Sequence, residues 1–100
     1  MRVHSLREIA ANKLCAVLGR GEPRDLVDLM LIFRLGVDLA SALEDAGRKD
    51  GGADAATLAW ILSEIRIGPE AVLPAGISAE ELDRFRAGLE TELRRRAHPA

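Results

Sequence analysis

Aromatic residues are scarce in this sequence: Phe33, Trp60 and Phe85 are the only three among 100 residues. A core built without them must be filled by Leu, Ala, Ile and Val, which favours packed helices over a sandwich of strands. Cysteine is scarcer still. Cys15 stands alone, so no disulfide can form within the chain. No apolar run approaches the ~20 residues of a membrane span. The opening Met1-Arg2-Val3-His4-Ser5 lacks the apolar run and cleavage site of a secretion signal. These absences fit a cytoplasmic protein with no membrane partner. His4 and His98 are isolated and have no ligand spacing, so a zinc site is not expected and no residue is assigned to a metal.

What is present is ordinary for a globular unit: 48% hydrophobic and 30% charged residues. The length fits one small domain or part of a larger protein. Net charge is −2, unevenly spread: +2 over residues 1–34, −7 over residues 35–92 and +3 from Arg94, Arg95 and Arg96. An acidic middle argues against a nucleic-acid-binding glove over the whole surface. Phosphate chemistry, if any, belongs to the first third.

Helix signals recur along the chain. Val3 and His4 read as a short lead-in, the end of a strand. Ser5-Leu6-Arg7-Glu8 is a capping box opening helix one, about Leu6 to Leu18, and Gly19 to Gly21 stop it. Pro23 suits the first turn of helix two, which runs to about Arg34 before Gly36. Leu26, Leu29, Met30 and Phe33 form its main apolar face, with Val27, Leu31 and Ile32 adding to it. Asp38 caps helix three, about Leu39 to Ala46, and Gly47 through Gly52 reads as a polar loop. Asp54 caps helix four, about Ala55 to Arg66, with Leu58, Ile61, Leu62 and Ile65 inward. Gly68 to Gly76 is a connector. Ser78-Ala79-Glu80-Glu81 is a second capping box, and Leu82, Phe85, Leu89 and Leu93 follow at amphipathic spacing. The expectation is an all-α bundle of about five helices in one helical domain over 1–100. Residues 1–34 form a helical hairpin and 35–100 a helical remainder.

Lys13 sits where a lysine is least expected. The stripe of helix one is Leu6, Ile9, Ala10, Leu14 and Val17, and at about 100° per residue Lys13 falls inside it. Arg20 returns to nearly the same azimuth, and helix two opens with Arg24, Asp25 and Asp28. A lysine on the buried side must find a partner or lose its charge, and a phosphate would suit. Each residue also has a plain structural reading. Lys13 can snorkel, its stem on the core and its ammonium in water. Arg24 and Asp28 can be a helix-surface ion pair. Asp25 and Asp28 suit the positive end of a helix dipole. In combination they make a narrow charged wedge on an otherwise apolar element. Other features carry less. Gly51-Gly52 follows no strand, so it is not a phosphate loop. Cys15 lies opposite Lys13 and is not read as a nucleophile. Arg94 to Arg96 reads as a solvated helix end, and Trp60 as packing.

The run from Leu6 through Lys13, Ala16, Arg20, Gly21, Pro23, Arg24, Asp25 and Asp28 to Leu29 resembles the AbiEii/AbiGii family of nucleotidyltransferase toxins. These are the toxic halves of type IV toxin–antitoxin and phage-abortive systems. Lys13 and Ala16 match the family's third motif, a lysine followed by a small residue. Asp25, Asp28 and Leu29 match its fourth, D-x-x-D and an aliphatic residue. The first two motifs, a Gly-Gly-Thr/Ser turn and a metal-binding D-x-D, have no counterpart here. The chain therefore looks like the helical C-terminal half of such an enzyme.

The resemblance implies transfer of a nucleotide from an NTP, with Mg²⁺, onto an acceptor such as tRNA. Lys13, Asp25 and Asp28 are then the catalytic candidates. Lys13 contacts the triphosphate, and Arg20 or Arg24 assists there. Asp25 or Asp28 orients Lys13 or serves the acceptor. The absent D-x-D implies that these residues alone are inactive and that a separate N-terminal catalytic half is a partner, alongside an antitoxin and an RNA acceptor. The competing expectation is a non-catalytic helical module that docks an antitoxin or a catalytic half. Two structural expectations accompany these readings: helices one and two are antiparallel across Gly19 to Glu22, and Lys13 approaches at least one of Asp25 and Asp28.

Overall fold

The computed structural model describes residues 5–69, 73–74 and 76–97. It contains five helices and, among the described residues, no strand: α1 (Leu6–Gly19), α2 (Pro23–Arg34), α3 (Leu39–Lys49), α4 (Ala55–Glu64) and α5 (Ala79–Ala97). The expected all-α class and number of helices are present. Val3, His4 and His98 lie outside the described residues.

Local chemistry fixes the helix starts. The Ser5 hydroxyl accepts from the Glu8 amide, and the Asp38 and Asp54 carboxylates accept from the Ser41 and Thr57 amides. Ser78 does the same for Glu81 at the head of α5. Each bond satisfies an amide that the helix itself leaves without a partner. Pro23 occupies the first turn of α2, where no amide is needed.

Helix ends differ from expectation in two places. Helix α3 continues through Gly47, Arg48 and Lys49 instead of ending at Ala46. Arg48 bonds Glu44 one turn back at 2.5 Å, and two basic residues meet the negative end of the dipole. Those terms offset the glycine. Helix α4 stops at Glu64, and Ile65 turns to an extended conformation while staying buried.

The core is aliphatic. Leu14, Leu26, Leu29, Leu58, Leu62, Leu82 and Leu93 are its largest fully buried apolar side chains. Helix α3 buries fully only Ala42 and Ala46, which lets its backbone lie close against α1, where Ala10 and Ala11 are also buried. Arg7 clamps the same contact through two bonds to Asp45, at 2.5 and 2.9 Å. Helix α5 packs mainly on α4, and Arg86 reaches across to the Leu62 carbonyl at 3.2 Å. Phe33 and Phe85 join α2 to α5, their ring centroids 6.2 Å apart.

Helices α1 and α2 form an antiparallel hairpin, as expected. Lys13 meets Asp28 and Arg20 meets Asp25, so positions that advance along α1 pair with positions that retreat along α2. The tight connection needs Gly21, whose φ is +61°. A side chain there would be strained by that backbone conformation, although its Cβ would meet the Val17 carbonyl and Ile61 of α4 only at ordinary contact distance.

Three apolar residues break the expected burial. Trp60, expected to pack, points away from the core and is 64% exposed. Leu6 and Leu31 are also exposed, although both fell within apolar stripes. The core takes only part of each stripe in a unit this small.

Burial separates two leucines sharply. Leu14→Ala should cost about 2–5 kcal/mol in urea unfolding, since it removes a packed side chain and leaves a cavity. Leu35→Ala, at a leucine 67% exposed, should change stability by about 0.5 kcal/mol or less. Equal losses would contradict this packing.

Candidate functional site

The hairpin holds two cross-helix ion pairs, and the Glu22 carboxylate lies 3.9 Å from Arg20 Nε beside one of them. Nearest the turn, Arg20 donates to Asp25 from Nη2 at 2.6 Å and from Nε at 3.2 Å. The backbone amide of Glu22 reaches the same carboxylate at 3.4 Å. Asp25 is 0% exposed and is the one buried charged residue among those described. Burial by itself pushes its carboxyl up. The bonds from Arg20 and the Glu22 amide, with the charges of Arg20 and Lys13, outweigh burial and hold it below its ordinary value. Arg20 is roughly half exposed, so it lies as a lid between the buried carboxylate and water.

Two turns back along α1, the Lys13 ammonium lies 2.6 Å from Asp28 Oδ2. Both side chains remain partly open to solvent. Lys13 therefore does approach the aspartate pair, through Asp28 directly and through its field at Asp25. Arg24 stands apart. It is exposed and makes no ion pair among the described residues. The plain structural reading of Arg24 and Asp28 as an ion pair does not hold, since Asp28 pairs with Lys13 from the facing helix.

The remaining candidates resolve simply. Cys15 faces α3, its thiol near the Ala46 carbonyl, and burial pushes that thiol above its ordinary value. That opposes a nucleophilic role. Arg94 bonds Glu90, and Arg95 and Arg96 bond Glu92. The basic end of α5 is thus largely neutralised by its own helix.

Two clefts were not anticipated. One of about 330 Å³ lies beside the Lys13–Asp28 pair and is lined also by Ile9, Leu31 and Ile32. The other, of about 470 Å³, lies between α2 and α5 and is lined by Met30, Phe33, Arg34, Glu81, Arg84 and Phe85. An Arg34–Glu81 ion pair spans its rim. The second depends on how α5 crosses α2, for which one-dimensional periodicity holds no signal. Leu31 beside Asp28 was a signal for the first, hidden by the assumption that the whole apolar arc of α2 is buried.

Comparison with known proteins supplies the family. A family model described as nucleotidyl transferase AbiEii toxin, type IV TA system, matches residues 1–100. The chain belongs to this family. No curated protein and no solved structure matches it. Membership of an AbiEii toxin family makes an antitoxin an expected partner. Among the described residues, no helix is long and apolar enough to cross a membrane.

A nucleotidyl transferase of this kind is expected to use Mg²⁺, and the side chains of the hairpin do not fit that ion. Mg²⁺ demands a near-octahedral shell of oxygens, commonly with one or two free carboxylates. Asp25 is buried and committed to Arg20 and the Glu22 amide, which leaves Asp28 as a single carboxylate beside a lysine whose charge opposes a cation there. Among the described residues, no cluster of three or more His, Cys, Asp or Glu could hold a metal.

The buried pair has a measurable signature. A carboxyl held below its ordinary value adds stability that is complete above the unfolded value and is lost as pH falls through the folded one. Asp25→Asn should lower stability near neutral pH by about 1–3 kcal/mol. The gap from the unsubstituted chain should shrink as pH drops below about 4, where carboxyls protonate. A gap constant from neutral pH into strong acid would mean that the charge on Asp25 contributes nothing.

Proposed function

We propose that this chain is the helical part of a nucleotidyltransferase toxin that passes a nucleotide from an NTP to an acceptor such as tRNA. In this reading Lys13 and Arg20 hold the triphosphate. The metal-binding carboxylates come from residues other than these 100, in a separate catalytic half. The observation that carries the reading is the contact of Lys13 with Asp28, next to the Arg20–Asp25 pair on the same hairpin. Two cations with carboxylates behind them are held on rigid helices, which suits a reaction catalysed mainly by positioning and charge neutralisation.

Each residue has a distinct task. Arg20 spends two of its five N–H donors on Asp25 and keeps the others for phosphate oxygens. Asp25 fixes the plane of the guanidinium from beneath. The Lys13 ammonium is a compact charge on a flexible stem, and Asp28 keeps it raised from the helix surface until a phosphate replaces that carboxylate. Arg24, at the head of α2 and without an ion-pair partner among the described residues, is the auxiliary cation. Lys13, Asp25 and Asp28 thus remain the residues on which activity should depend, with Arg20 and Arg24 at the phosphates.

A second reading is a helical interaction module that docks an antitoxin or a catalytic half without chemistry of its own. The exposure of Trp60 favours it, because tryptophan is enriched among the residues that anchor protein interfaces.

The purified chain, incubated with labelled NTPs, Mg²⁺ and total tRNA, should incorporate no label. A polypeptide carrying the metal-binding carboxylates, added in trans, should restore transfer. Lys13→Ala should then lower the rate at least about 100-fold, the scale for removing one charge-stabilising donor. The same substitution should cost about 1 kcal/mol or less in stability, because the ion pair is partly solvated. Incorporation by the chain alone that Lys13→Ala abolishes would overturn the division between halves. Full activity in trans with Lys13→Ala would overturn the role of Lys13.

A further inference from the structure

The hairpin is graded in polarity along its length. From the Gly21 turn outward come the Arg20–Asp25 pair, then the Lys13–Asp28 pair, then Ile9 of α1 opposite Leu31 and Ile32 of α2. Ile9 is one helical turn beyond Lys13, a rise of about 6 Å. Lys13, Asp28 and these three aliphatic side chains line one cleft of about 330 Å³. Its walls are apolar, and its only charges are the two already paired. Leu31 is 38% exposed, so the apolar wall is accessible from solvent.

A nucleoside triphosphate is graded in the same order, from polyanion to sugar to a flat ring with two apolar faces. We propose that Ile9, Leu31 and Ile32 seat the nucleobase of the NTP whose phosphates Lys13 and Arg20 hold, an assignment that rests on the nucleotidyltransferase reading above. Asp28 lies between the two ends. Its Oδ2 faces Lys13, and its Oδ1 has no partner among the described residues, which leaves it available to accept from a ribose hydroxyl. Three side chains give a seat the size of one ring system. A protein interface of ordinary size would need about 800 Å² on each partner. The walls carry no donor or acceptor to read a base edge, so the seat grips a ring by contact area and discriminates weakly between bases of similar size.

Binding of ATP, GTP, UTP and inorganic tripolyphosphate to the chain tests this, followed by titration calorimetry or amide chemical shifts. Tripolyphosphate should bind, and Lys13→Ala should weaken it and ATP alike. ATP should bind about five- to tenfold more tightly than tripolyphosphate, the gain expected from burying part of a ring against aliphatic surface. ATP and GTP should agree within about threefold, with UTP weaker because its ring is smaller. Leu31→Ser should abolish the advantage of ATP and leave tripolyphosphate unchanged. Leu31→Trp, at the same exposed position, should enlarge that advantage. Equal affinity for ATP and tripolyphosphate, or an ATP advantage untouched by Leu31→Ser, would overturn the base seat while leaving the phosphate site standing. Failure of tripolyphosphate to bind, or indifference of both ligands to Lys13→Ala, would overturn the phosphate site and the seat together.

Discussion

A buried carboxylate governs the first third of this protein. Asp25 has no solvent exposure, and an ionised group in that position is tolerated only with its oxygens occupied. Arg20 and the Glu22 amide occupy them, and both lie in the connection between α1 and α2. Satisfying one charge therefore fixes the conformation of the turn, the start of α2 and the angle at which α2 returns along α1. A hydrogen bond to a charged group contributes about 1.5–3 kcal/mol, against about 0.3–1 kcal/mol for an acid near a helix N-terminus. The bonds, more than the dipole, hold Asp25 in place. Asp28 is three residues further along the same helix, so its position over Lys13 follows from the same constraint.

In the proposed function the cations come from this hairpin, and the rest of the surface offers few others. Most of the cations elsewhere are spent. Arg7 is held by Asp45, Arg34 by Glu81, Arg48 by Glu44, Arg86 by Asp83 and Glu90, and the last three arginines by Glu90 and Glu92. These pairs neutralise the +3 end of the chain, which therefore contributes little attraction for phosphate. Arg20 is paired too, with Asp25 and more loosely with Glu22, but it caps a carboxylate with no access to solvent and is itself half exposed.

Much of this was legible in the sequence because helix chemistry is local. Ser5, Asp38, Asp54 and Ser78 act within one turn of themselves, and each is where its helix begins. The approach of Lys13 to the aspartate pair was legible because two short periodic segments joined by a glycine turn have few ways to pack. The Arg20–Asp25 bond was not, because a helical wheel ends where the helix ends and Arg20 lies in the turn. Trp60 failed for a different reason. Periodicity identifies which residues share a face, but which face meets a neighbour depends on helices distant in the chain. Gly47 misled because its local cost was outweighed by Glu44, Arg48 and Lys49, whose effect appears only when summed over the last turn.

The two pairs differ in how readily each can give up its partner, and the proposed function gives that difference a use. The Lys13–Asp28 pair is partly solvated, so exchanging the carboxylate for a phosphate would replace one ion pair with another at little desolvation cost. The Arg20–Asp25 pair cannot exchange in the same way. Turning Arg20 away would leave an uncompensated charge in the interior, at a cost of about 3–5 kcal/mol by analogy with other broken buried pairs. In the proposed function a phosphate would draw Lys13 away from Asp28 but would meet Arg20 where Asp25 holds it. One cation adapts to the ligand while the other sets its position, and a polyphosphate spanning both would be fixed at one end and gripped at the other.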